Sequence, residues 1–255
     1  MTYAAVLWRL ASLAIAVAFV GMWQLVADFR LVSPAFLPSP QRTWASLVRG
    51  FGSGDLAAKF GGTCEHMLFG WLAASIVGVA LGAAIGSSAR MRVYVAPSLD
   101  FVRPLPVSAV IPVAIALFGL TKGMALAVIA FGSVWPMLLA TVHGFAAVEP
   151  RLYEVSRCLD MNRLQTAAKI ALPSAAPDIL SGMRLSLTVS LILSVVCEML
   201  AGLDGLGQWI LLSARGFRSA DLFAGVVLLA LLGYATASAM GVLERRVLRW
   251  QLIAR

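Results

Sequence analysis

Residues 149–184, EPRLYEVSRCLDMNRLQTAAKIALPSAAPDILSGMR, form a polar, basic island between long apolar runs. Pro150 suits the first turn of a helix reaching Leu159, with Leu152, Val155 and Leu159 on one face and Arg151, Glu154 and Arg157 exposed between them. Asp160 falls where the chain must turn. Asn162 is placed to cap a second helix, Gln165 follows three residues on as in a capping box, and Leu164, Ala167, Ala168 and Ile170 supply another apolar stripe. Pro173 is predicted to end that second helix. Neither helix is long enough to cross a bilayer, so their stripes must bury against the chain's own bundle or against a partner in water.

The rest of the chain supplies the membrane setting. Its 255 residues are 60% hydrophobic and 13% charged, with a mean hydropathy of +0.89. That leaves too little polar surface for a water-soluble globule and indicates an all-α integral membrane protein. The net charge of +8 is spread through short loops and forms no basic stripe with interleaved aromatics, so nucleic acid is excluded as a partner. By apolar length six segments qualify as spans, roughly 8–27, 66–88, 99–119, 123–144, 179–201 and 221–243. The first looks like a signal peptide, but its long apolar run and lack of a small-x-small cleavage site favour an uncleaved span. With cytoplasmic termini, 13 of the 20 basic residues lie inside, among them Arg103, Arg184 and Arg255. The other 7 (Arg30, Arg42, Arg49, Lys59, Lys122, Arg215, Arg218) lie outside, as the positive-inside rule requires.

Local signals refine the picture. Leu37-Pro38-Ser39-Pro40 ends the first span, and Ser39 is placed to cap a short helix with Trp44, Leu47, Val48 and Phe51 on one side, expected to lie in the outer interface. The stretch 50–62 reads as flexible and glycine-rich. Ala74, Gly78, Gly82 and Gly86 recur every four residues, so the second span should admit the close approach of another helix backbone. Pro104, Pro106 and Pro112 imply a kinked or late-starting third span, a candidate lining for a translocation route or simply a packing kink. Glu198, near the outer end of the fifth span, is either a route or gating residue or a helix-end side chain reaching water. His66 and His143 read as residues near span boundaries, and Cys64, Cys158 and Cys197 as small apolar fillers rather than a disulfide or metal set.

The island resembles the cytoplasmic loop of type I ABC importer permeases, whose pattern is Glu-Ala-Ala, a glycine some residues on, and Ile-x-Leu-Pro. Here these are Glu154-Val155-Ser156, Asp160 in the glycine position, and Ile170-Ala171-Leu172-Pro173. Further matches are Leu37-Pro38-Ser39-Pro40, Arg103-Pro104-Leu105-Pro106 with Pro112, Phe118-Gly119-Leu120, Leu180-Ser181-Gly182-Met183-Arg184, Cys197-Glu198-Met199-Leu200, Gly205-Leu206-Gly207 and Leu243-Glu244-Arg245-Arg246. Together they are similar to the branch importing nitrate, taurine and aliphatic sulfonates, with pyrimidine-type vitamin precursors as an alternative cargo. The resemblance implies six transmembrane helices in the permease fold. Residues 1–63 would hold the first span and the interfacial helix, and 64–255 the core, with the coupling loop at 149–178. It implies a bacterial inner-membrane homodimer working with two ATP-binding subunits and an external solute-binding protein that docks on 28–63 and 202–220. Glu154, Val155, Ser156, Arg157, Asp160, Leu172 and Pro173 would contact the ATPase, in whose groove Val155 and Ser156 replace smaller alanines. Asp tolerates the left-handed backbone of the glycine position better than most residues, and there it would help select the ATPase.

This chain carries no ATP chemistry of its own: Gly-x-x-x-x-Gly-Lys-Ser/Thr is absent and Thr121-Lys122-Gly123 lacks the glycine loop before it. No cofactor, metal site or catalytic residue is implied. A serine hydrolase built on Ser53 with His66 or His143 would need a base within reach of an exposed loop. An ion-coupled secondary transporter would carry ionisable residues deep within its spans, and this chain keeps its own near the span ends.

Overall fold

The computed structural model describes residues 3–102 and 104–249, so Arg103 and Arg255 lie outside the described residues. Among the described residues the regular structure is helical throughout. Helix α1 (Tyr3–Asp28) leads to α2 (Pro40–Gly52), α3 (Asp55–Gly86) and α4 (Ala89–Val102); then come α5 (Val107–Phe118), α6 (Lys122–Ala146) and α7 (Pro150–Cys158). The chain continues as α8 (Arg163–Thr166), a π-helical turn (Ala167–Ala171), α9 (Leu172–Ala201), α10 (Leu206–Arg215) and α11 (Ser219–Val247).

Among the described residues four helical stretches are long and apolar enough to cross a membrane: Asp55–Gly86, Lys122–Ala146, Leu164–Ala201 and Ser219–Val247. Ala14–Asp28 and Val107–Phe118 are apolar but shorter. The expected third span is divided, because α4 ends at Val102 and a new helix begins only at Val107, with Pro106 as its extended N-cap (φ −68°, ψ 111°). Proline at that position needs no helical donor, which explains the late start.

The centre is a three-helix stack of α3, α6 and α9. The predicted small-residue stripe makes this contact: a Cβ at Gly78 would come within 2.8 Å of Met137, at Gly82 within 2.6 Å of Thr141 Cβ, and at Gly86 within 2.7 Å of Phe145 Cβ. Buried serines supply polar ties that the sequence did not announce. Ser186 Oγ donates to Ser133 O at 2.7 Å and Ser190 Oγ to Met67 O at 2.6 Å, joining α9 to α6 and to α3. In hydrocarbon such hydroxyls have no water to bond, so each favours the packed arrangement. Ile111 and Ala114 of α5 bury against Met124, Val128, Leu193 and Cys197 on this stack.

Several expectations change. Residues 55–62 are not a flexible loop but the first turns of α3, after a tight turn at Gly54 (φ 79°). Gly62 is there for close approach, since a Cβ would meet Asp204 O at 2.5 Å. In α2, Ser39 caps and Pro40 opens the helix as predicted, but Leu47 leaves the apolar side and buries against Leu56, Leu206 and Leu228, while Trp44, Val48 and Phe51 remain exposed. Residues 202–220, an expected docking stretch, hold helix α10. Cys197 is buried, but Cys158 is exposed and is no core filler.

Candidate functional site

The polar island is a wedge at one end of the bundle. Pro150 begins α7, and its end is closed by paired bonds, Asp160 N–H to Arg157 O at 3.1 Å and Met161 N–H to Ser156 O at 3.0 Å. This double closure needs a left-handed residue between them, and Asp160 adopts it with φ +49°. The next turn opens with a reciprocal capping box, Gln165 N–H donating to Asn162 Oδ1 at 2.8 Å and Asn162 N–H to Gln165 Oε1 at 3.1 Å.

Pro173 does not end the second helix, contrary to expectation. The helix runs on unbroken from Leu164 to Ala201, 38 residues. In an α-helix the proline ring would clash with the carbonyl four residues back. The π-turn just before it moves the bond to the fifth residue back, Leu172 N–H to Ala167 O, and places Pro173 in the first turn of α9, where it is tolerated. The second short helix of the island is thus the base of a spanning helix.

Leu152, Val155, Leu159 and Leu164 are 37%, 50%, 64% and 79% exposed, so the apolar stripe of the wedge is not consumed by the chain's own spans. Ser156 faces inward: it is buried, and its hydroxyl donates to Tyr153 O at 2.7 Å. Of the two residues standing where the resemblance has alanines, only Val155 therefore meets the outside. Glu154, Arg157, Asp160 and Lys169 are exposed and form no ion pair among the described residues. Between the wedge and the α3–α4 turn lies a depression of about 870 Å³, walled by Ser87, Ser88, Tyr153, Glu154, Arg157 and Thr166. Ala171 closes part of it, whereas Leu172 and Pro173 are exposed beside it. At the same end Arg184 Nη2 lies 3.0 Å from Glu244 Oε2, so this arginine ties α9 to α11.

The expected route residues are not brought together. Pro104, Pro106 and Pro112 lie exposed on and before α5, beside exposed Val113, Leu117 and Phe118. Glu198 is fully buried and does not reach water. Its carboxylate accepts from Thr63 Oγ1 at 3.0 Å and from Gly207 N–H at 2.9 Å, and His66 Nδ1 lies 3.1 Å from its second oxygen. Thr63 Oγ1 in turn accepts from Leu206 N–H at 2.8 Å. Glu198 therefore knots α9 to α3 and to the start of α10. His66 is only 2% exposed, so it is no boundary residue, and its Nε2 has no partner among the described residues. His143, by contrast, is exposed. Above the knot Lys59 Nζ donates to Asp204 Oδ1 at 2.6 Å, and that hydrogen bond, followed by the ammonium charge, holds the Asp204 carboxyl below its ordinary range. Ser53 donates to Gly50 O and His66 is committed to Glu198, so no nucleophile–base pair forms there.

Comparison with known proteins places this geometry. The profile of the family described as binding-protein-dependent transport system inner membrane component matches residues 74–249. The putative aliphatic sulfonates transport permease protein SsuC of Bacillus subtilis (strain 168) is 32% identical over 233 residues, spanning 91% of this chain and 84% of its own. The taurine transport system permease protein TauC of Escherichia coli (strain K12) is 28% identical, covering 90% and 85%. The nitrate import permease protein NrtB of Leptolyngbya laminosa is 27% identical, covering 92% and 88%. The same fold occurs in an inward-facing structure of the MetNI methionine ABC transporter, at a TM-score of 0.65 and 20% identity over 82% of this chain and 99% of that one. With a spanning helical core, an exposed wedge and relatives matched over nine-tenths of its length, the chain belongs to the family of inner membrane components of binding-protein-dependent transport systems.

Proposed function

We propose that this permease subunit passes a small oxyanion-bearing solute of the sulfonate, taurine or nitrate kind through a bacterial inner membrane, driven by a separate ATPase that grips the α7–α8 wedge. The observation that carries this reading is the uncovered wedge: an apolar stripe from Leu152 to Leu164 flanked by unpaired charges, whose second arm runs from Leu164 into α9 without a break. A surface of that kind costs solubility unless something covers it. The cargo class rests on the similarity to permeases for aliphatic sulfonates, taurine and nitrate.

Six crossings follow if α1 and the α4–α5 pair complete the four long spans, with both termini on the cytoplasmic side. In this arrangement Glu154, Val155, Arg157 and Asp160 touch the ATPase, and Leu172 and Pro173 fix the wedge on α9. Ser156 anchors the wedge from inside. Two copies would meet along the exposed α5 face, where Pro112, Val113 and Leu117 line a route between them; Glu198 would hold that route's outer end in shape rather than line it. An external binding protein would rest on the α2 and α10 surface. The test is Glu154→Arg in the full complex, purified in mild detergent. Membrane insertion unchanged, with the ATPase lost and ATP-linked uptake abolished, is the expected result. Normal uptake, or uptake by this chain alone under an ion gradient, would overturn the reading.

A further inference from the structure

At the end of the molecule opposite the wedge, the turn after α1 and the start of α2 form a basic crevice of about 220 Å³ lined by Asp28, Arg30, Ser39 and Arg42. A second crevice of about 360 Å³ shares Arg42 and adds Arg49, Arg218 and Asp221. Four arginines thus face two carboxylates, a local excess of two positive charges. Neither carboxylate pairs with Arg30 or Arg42: Asp28 accepts from Gln24 Nε2 at 2.9 Å, while Asp221 takes Ser46 Oγ at 2.5 Å and lies 3.3 Å from Arg218 Nη1. The guanidinium groups of Arg30 and Arg42 have no partner among the described residues. Arg30 is also held in the left-handed region at φ +50°, a conformation that a non-glycine residue adopts only when its surroundings impose it.

Next to the arginines the opposite side of the α1–α2 junction opens as an apolar groove of about 740 Å³, walled by Val17, Val20, Gly21, Gln24, Pro40 and Trp44. Gly21 leaves it open, since a Cβ there would meet nothing within 4 Å. Trp44 is 68% exposed on its rim, and Phe29 and Phe36 are 73% and 66% exposed around the crevice. Exposed aromatic rings beside basic side chains mark the level where hydrocarbon gives way to headgroups.

We propose that this junction is a binding site for an anionic glycerophospholipid, with the headgroup phosphate between Arg30 and Arg42 and one acyl chain in the groove beside Gly21. An acidic protein surface would match the arginines but would leave the apolar groove empty, and a free phosphate would use only the charges. A lipid satisfies both halves.

The experiment uses the full complex, delipidated in mild detergent and offered equal amounts of phosphatidylglycerol and phosphatidylcholine, with retained lipid counted by native mass spectrometry. The unaltered protein should keep phosphatidylglycerol in preference. Arg30→Gln with Arg42→Gln should lower that preference about 25-fold, about fivefold for each arginine. Gly21→Leu, which has room to fold, should weaken retention of both lipids while leaving the charges intact. Retained preference in the double variant overturns the site. Full displacement of the lipid by inorganic phosphate overturns it in favour of a free-anion site. Unchanged lipid retention with loss of binding-protein-dependent uptake overturns it in favour of protein docking.

Discussion

Glu198 carries the largest single commitment in this molecule, a carboxylate fully enclosed between α3, α9 and α10. Glycine is required around it, because a Cβ at Gly205 or Gly207 would run into the Glu198 side chain. The sequence marked Glu198 as costly where it stands, but not its purpose. Thr63 and His66 lie 135 and 132 residues away, and nothing in local pattern pairs such distant positions. Asp160 is the opposite case, since its place between two helices marks a turn, and the glycine that the resemblance puts there implies the left-handed backbone it adopts. The knot makes a prediction at this scale. Glu198→Ala removes the oxygen that accepts from both Thr63 Oγ1 and Gly207 N–H, leaving at least one buried donor unmet at a cost of about 2 kcal/mol. In a chain of this size that corresponds to a fall of about 4–8 °C in the thermal unfolding midpoint of detergent-purified protein. An unchanged midpoint would show that the knot contributes nothing to stability.

Helices were legible where periodicity carried them and illegible where a single residue overrode it. The four-residue spacing of Gly78, Gly82 and Gly86 named α3 as a packing helix, and its partner proved to be α6. Pro173 reads as a stop in sequence because a five-residue π-turn, which relieves the proline without ending the helix, has no sequence signature of its own. Residues 55–62 were misread as a loop because glycine there signals close approach to residue 204, not freedom. The two uses of glycine in α3 can be separated. Gly82→Val would drive a Cβ to 2.6 Å from Thr141 Cβ and 2.9 Å from Leu138 O, a wall that is partly backbone. Overpacking of this kind costs about 1–3 kcal/mol. Gly61→Ala meets nothing within 4 Å, so it should be neutral or raise stability by up to about 1 kcal/mol through helix propensity. Thermal unfolding of the two variants side by side checks the contrast, and equal effects would contradict the close α3–α6 contact.

Over the whole molecule, composition and the polar island together were enough to reveal a membrane bundle with a projecting wedge. What they left open was whether the wedge folds back. The exposed side chains of Leu159 and Leu164 answer that, because residues 64% and 79% exposed contribute little to internal packing. The molecule thus separates the surface that holds it together, the α3–α6–α9 stack with the Glu198 knot, from the surface that would transmit work. Since the helix that begins at Leu164 runs without a break to Glu198, a pull at one end reaches the other through about 51 Å of helix. The separation predicts a divided response to Leu159→Asp with Leu164→Asp. The stability of the isolated chain should change by no more than about 0.5 kcal/mol, as for other surface changes. Retention of the ATPase should fall by about 30-fold or more, the loss of about 2 kcal/mol expected when an interface anchor is removed. Thermal unfolding and quantitative co-purification on the same preparation give both numbers. A large stability loss with the ATPase still bound would mean that these leucines pack within the bundle and that the motor grips some other surface.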